Sequence, residues 1–116
     1  GRRNQGLIQI RVSYAGDAVS GLEVSGHAGL GEPGADPLCA GVSVLSDNLA
    51  ASIETLIGAP VECQARNGYM KIRVLDGVQD PGVQLLFASA LLGFSILEGQ
   101  FPGRIQIESD GPQRGG

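Results

Sequence analysis

A chain of 116 residues supports one domain with one core, because a second core would lack apolar material. Hydrophobic residues make up 42% and charged ones 17%, as in a folded globular protein, and with Trp absent and few aromatics that core must be aliphatic. Eight basic against twelve acidic residues leave a formal charge of −4, which argues against direct nucleic-acid binding, since a phosphate backbone calls for a basic stripe.

Ile8, Ile10, Val12 and Tyr14 alternate with Gln9, Arg11 and Ser13, the period of two that marks a half-buried strand. Ala15-Gly16-Asp17 reads as a turn, and a second strand follows through Leu22, Val24 and Gly26, giving an antiparallel hairpin. From Gly26 to Leu38 the chain reads as a loop rich in glycine and proline. Asp36-Pro37 starts a helix, because Asp caps free amides and Pro at the first helical position loses no needed N–H. Its apolar positions Leu38, Val42, Leu45, Leu49, Ile53 and Leu56 recur at three and four, and Gly58-Ala59-Pro60 ends it.

Val61, Cys63 and Ala65 begin a third strand, Asn67-Gly68 is a two-residue hairpin turn, and Met70, Ile72 and Val74 alternate beyond it. Asp80-Pro81 repeats the helix start. Val83, Leu86, Phe87, Ala90, Leu91, Phe94 and Leu97 form one stripe of this second helix, and Leu85, Leu92 and Ile96 lie off it, so the helix is expected to be covered on two sides. Gly103 to Glu108 supplies a last strand with Ile105 and Ile107 inward. The opening 1–6 and the polar tail 109–116 are expected to be flexible. The order ββαββαβ predicts an α/β (α+β) fold: a single mixed sheet of about five strands with two helices packed on it.

The single His, His27, stands at the end of the second strand, and Cys39 lies at the beginning of the first helix. With Asp36 as N-cap, Cys39 falls in the first turn, where the helix dipole favours an anion such as a thiolate. The Asp36 carboxylate opposes that, at a cost reduced if it is occupied in capping and points away. The amides of Cys39 and Ala40, read as having no partner inside the helix, are candidate oxyanion donors. Ser43 sits one turn later on the same face; its hydroxyl either orients the thiol or the loop, or bonds the carbonyl four residues back.

Each residue also has a plainer reading. Cys in a helix is more often a small buried hydrophobe, and Cys63, at an inward strand position, is expected to be one. A lone His at a strand end is more often a surface residue, and Asp36 and Asp80 read first as caps. A Cys and a His at the two ends of one glycine-rich loop, with the Cys on a helix start, form a less easily dismissed pair.

Gly29-Leu30-Gly31-Glu32-Pro33-Gly34 matches G-x-G-x-x-G, yet the strands before it form an antiparallel hairpin, not the parallel unit of a dinucleotide site. Gly29, Gly31 and Gly34 instead suit a lid over a substrate. One His and two Cys without a Cys-x-x-Cys spacing make a metal site improbable, so neither metal nor cofactor is expected. The apolar stretches are read as well short of a membrane span of roughly 20 residues, and no signal-peptide pattern opens the chain. Two Cys do not make a disulfide framework, so a reducing, cytoplasmic setting is expected.

The run Gly26-His27-Ala28, then Gly34, Asp36 and Cys39-Ala40-Gly41-Val42-Ser43, resembles the ribosomal-processing cysteine protease family known as Prp. The resemblance extends over the whole chain in length and element order, and its specificity lies in G-H-A-x6-G-x-D-x-x-C-A-x-x-S. It implies a homodimeric bacterial enzyme that removes an N-terminal extension from the twenty-seventh large-subunit ribosomal protein. The family's nucleophile and acid/base fall on Cys39 and His27, and its characteristic Gly, Asp and Ser on Gly26, Asp36 and Ser43. No residue stands out as a third triad member; Glu23 and Asp47 are distant candidates for orienting the imidazole. Two other readings compete: a non-catalytic dimeric module that only binds a ribosomal protein or the ribosome, with its apolar second helix face as interface and Cys39 as buried packing, and a thiol redox sensor. The second leaves the Asp36 and Ser43 spacing unexplained.

Overall fold

The computed structural model describes residues 6–27 and 36–109. Its strands are β1 (Ile8–Ala15), β2 (Ala18–Gly26), β3 (Val61–Arg66), β4 (Tyr69–Val74) and β5 (Ile105–Ser109), and its helices α1 (Pro37–Ser52) and α2 (Pro81–Gln100). The strands form one mixed sheet in the order β3-β4-β2-β1-β5, all pairs antiparallel except β1 with β5. The predicted architecture and element order are those observed. Of the ends expected to be flexible, 1–5 and 110–116 lie outside the described residues, Gly6 is a buried turn residue, and Ser109 is the last residue of β5.

Alternation decides which side of the sheet carries the core. Ile8, Ile10, Val12, Leu22, Val24, Ile72, Val74 and Ile105 point to one face and join Leu38, Val42, Leu49, Phe87 and Phe94 of the helices in a single cluster. The opposite face carries Gln9, Arg11, Lys71 and Arg73 in exposed positions. Parallel pairing of β1 with β5 needs a crossover, and α2 provides it. At its start the Gln84 side chain mimics a strand neighbour. It accepts from the Val19 N–H at 2.9 Å, and its amide donates to the Val19 and Val78 carbonyls at 2.8 and 2.7 Å.

Four expectations are corrected. The first helix stays α-helical only to Ser52; residues Ile53–Ile57 form a π-helical turn, closed by the Gly58 N–H donating to the Ile53 carbonyl at 3.0 Å with Gly58 left-handed at φ 85°. The wider turn rotates Leu56 off the inward stripe, leaving it 73% exposed. Leu85, Leu92 and Ile96 are likewise 69%, 64% and 55% exposed, because α1 and the sheet cover only one side of α2 within this chain. Cys63 keeps its inward register opposite Ile72, yet the residue is exposed, since β3 is the edge strand. Finally, α2 has the length and hydropathy to cross a membrane, with 20 residues and a mean hydropathy of 1.5. Its Val83, Phe87, Ala90 and Phe94 are nonetheless buried in the core of the domain.

Candidate active site

Between the first turns of α1 and the β3–β4 hairpin lies a cleft of about 630 Å³, floored by Ile8 and Val24. Gly26, His27, Asp36, Cys39, Ala40 and Ser43 all line it, so the residues that the motif separates along the chain share one concavity. The elements explain why. β2 ends at Gly26 with φ 99°, a backbone region that favours glycine, and a Cβ there would run into the Leu7 carbonyl oxygen. His27 therefore follows immediately beyond the strand, exposed at the mouth of the cleft. Residues 28–35, including Gly29, Gly31 and Gly34, lie outside the described residues.

Asp36 is the α1 N-cap and is 7% exposed. Its Oδ1 accepts from the Leu38 N–H at 2.9 Å and from the Cys39 N–H at 3.0 Å. The Ala40 N–H donates to the Asp36 carbonyl at 3.0 Å. The expectation that the Cys39 and Ala40 amides await an oxyanion is thus corrected: both are engaged. The reason is positional, since the fourth residue after an N-cap already closes the first helical hydrogen bond onto the cap carbonyl, and the cap side chain takes the amides before it.

Cys39 is half-buried and faces the cleft from the third helical position, with Ser43 one turn below. Among the described residues it is Ser46, not Ser43, whose hydroxyl bonds the carbonyl one turn back, to Val42 at 2.7 Å. Neither Cys39 nor Cys63 forms a disulfide. Asp47 lines the same cleft, whereas Glu23 is taken up by the Tyr69 hydroxyl, which donates to it at 2.6 Å. That hydrogen bond, with burial and the Glu23 charge, raises the Tyr69 pKa above its ordinary value; the Arg66 guanidinium, 4.2 Å over the ring, opposes it. Burial pushes the Cys63 thiol up, and the Asp47 and Glu54 carboxylates add to this. The residue is exposed as a whole, but its register turns the sulfur toward the helix side. Among the described residues no cluster of three His, Cys, Asp or Glu is gathered to hold a metal.

The hairpin wall was not legible in the sequence as part of a site. Arg66, Asn67, Gly68, Tyr69 and Met70 line the cleft because β4 pairs with β2, Ser25 standing opposite Tyr69 and the Gly26 N–H donating to the Gly68 carbonyl at 2.9 Å. Asn67-Gly68 signals a turn, but nothing in its residues says which strand end it will meet.

The family model for cysteine protease Prp matches residues 7–106. Among solved structures, the fold is similar to a Staphylococcus aureus ribosomal processing protease Prp with a covalently linked product peptide. The TM-score is 0.82 at 22% identity, over 90% of this chain and all of that one. It is also similar to the same S. aureus protease with a substrate peptide, at TM-score 0.78 and 21% identity over 90% of this chain and 100% of that one. A higher identity, 35%, is found with SMU.848 from Streptococcus mutans, at TM-score 0.77 over 95% of this chain and all of that one. No curated protein matches the chain in sequence.

Proposed function

The chain belongs to the Prp cysteine protease family, and from that premise we propose that it removes the N-terminal extension of the twenty-seventh large-subunit ribosomal protein by a Cys39–His27 dyad. The observation that carries this reading is the placement of His27 and Cys39 on one cleft, from β2 and α1 respectively. Peptide-bearing structures of a similar S. aureus protease support an extended peptide as the substrate. Family membership favours an enzyme over a non-catalytic ribosome-bound module.

In the proposed reaction the Cys39 thiolate attacks the scissile carbonyl carbon, forming a C–S bond, and the carbonyl electrons move to oxygen. Collapse expels the amine, to which His27 delivers a proton, leaving an acyl-enzyme. His27 then takes a proton from water as the hydroxide adds, and the second collapse releases the acid and restores the thiolate. Asp36 holds the amides of Leu38 and Cys39, so it fixes the helix start that carries the nucleophile. An oxyanion can use the Cys39 N–H only by displacing that carboxylate oxygen.

The exposed Leu85, Leu92 and Ile96 support association of two copies through α2. No direct nucleic-acid or membrane contact belongs to this reading, which places the protein in the cytoplasm. The test is mass spectrometry of the extended ribosomal protein incubated with this chain. A shortened N-terminus with wild type and none with Cys39→Ala is expected; cleavage by Cys39→Ala would refute the assignment.

A further inference from the structure

The turn of the β3–β4 hairpin does more than close two strands. A Cβ placed on Gly68 would lie 2.6 Å from His27 Nε2, 3.2 Å from Cε1 and 3.4 Å from Cδ2. The distal edge of the imidazole therefore rests on the bare Cα of this glycine. The same residue accepts, through its carbonyl, the N–H of Gly26 at 2.9 Å, so the backbone beside His27 and its ring are both located by one residue. That residue is itself held. Tyr69, next in sequence, is fastened to Glu23 of β2 by the 2.6 Å hydrogen bond, and Arg66 closes over the Tyr69 ring.

We propose that Gly68 is a positioning residue for His27: its missing side chain leaves the seat in which the imidazole is held at the cleft. The proposal rests on His27 being the acid/base. The simpler account is that Gly68, at φ 75°, is glycine only because the turn needs a left-handed residue. Gly16 separates the two. It sits in the β1–β2 turn at φ 66°, and a Cβ there meets nothing within 4 Å. Both glycines have positive φ, and of the two substitutions only Gly68→Asn intrudes on the ring.

The sequence contains one His, so its Cε1–H resonance in a proton NMR spectrum is unambiguous. In the full chain, Gly68→Asn is expected to move that resonance. Cleavage of an extended ribosomal-protein peptide should lose on the order of tenfold to a hundredfold in kcat with KM little changed, as misplacement of an acid/base group does. Gly16→Asn should leave both readouts at wild type. Gly68→Ala, whose side chain ends at Cβ, serves as the second variant and should show the same pattern, with Gly16→Ala as its control. Wild-type resonance and kcat in a folded Gly68 variant would overturn the proposal. Full activity of His27→Asn would instead overturn the acid/base reading, while the resonance shift in Gly68→Asn would still register the contact.

Discussion

Two thiols on one small domain stand in opposite surroundings. Cys39 faces the cleft from the positive end of α1, whereas Cys63 faces the Asp47 and Glu54 carboxylates, and burial together with those charges raises its pKa. Iodoacetamide at neutral pH is therefore expected to label Cys39 well ahead of Cys63, with Cys63 gaining only above the ordinary thiol range. Peptide mapping of a time course checks this, and equal rates at pH 7 would count against Cys39 as nucleophile. Tyr69 makes a second residue-level prediction. Its folded pKa is raised, so the folded state holds the phenolic proton more tightly than the unfolded chain does. The stabilisation is thus complete below the ordinary value of 10.0 and is lost as pH climbs through the folded value. Urea midpoints should show wild type ahead of Tyr69→Phe at pH 8, with the gap closing as pH rises past 10.0; a gap independent of pH would contradict the Glu23 hydrogen bond as its source. That Cys39 and His27 share a cleft was legible because one loop joins them. The Tyr69–Glu23–Arg66 cluster was not, since residues so far apart in sequence meet only when strands choose neighbours.

At the scale of elements, the two helices start on the same device and differ in what it holds. Asp36 and Asp80 each accept from two first-turn amides ahead of a Pro. Replacing either by Ala is expected to cost about 1 kcal/mol of stability, within the usual range for an N-cap. Asp36→Ala should also lose peptidase activity, because the helix start it fixes carries Cys39, while Asp80→Ala should keep it. Thermal melts beside single-turnover cleavage separate the two effects. Both caps were visible as Asp-Pro before an apolar stripe. The π-helical turn was not, because Ile53 and Leu56 continue the three-and-four spacing that an α-helix would show, and only the closure onto Gly58 reveals the added residue. Cys63 misled for a related reason: alternation tells which face a residue takes and is silent on whether its strand is central or at an edge.

For the whole molecule, strand order is what assembles the site, and it is the part that periodicity leaves open. Putting β4 beside β2 brings the Asn67-Gly68 turn to His27, and putting β5 beside β1 brings α2 across the core. This packing leaves Leu85, Leu92 and Ile96 on one outward side of α2, at spacings of seven and four that repeat every two turns and one turn of helix. Sedimentation is expected to show two copies associated, and Leu92→Glu with Ile96→Glu should give single chains with an intact far-ultraviolet spectrum. A wild-type protein that sediments as single chains at working concentration would remove the dimer from the proposed function.

The pairing of β5 with β1 also bears on how the protein is born. Ile8 through Val12 leave the ribosome before the other described strands, and their partners Ile105 through Ser109 emerge only after every other described element has appeared. Until then one border of the nascent sheet carries main-chain groups without a strand partner, and Ile105 is missing from the core. Every element that lines the cleft precedes β5, so maturation of the fold trails synthesis of the site. A growing chain thus has every described wall of the cleft translated before its sheet has both borders in place.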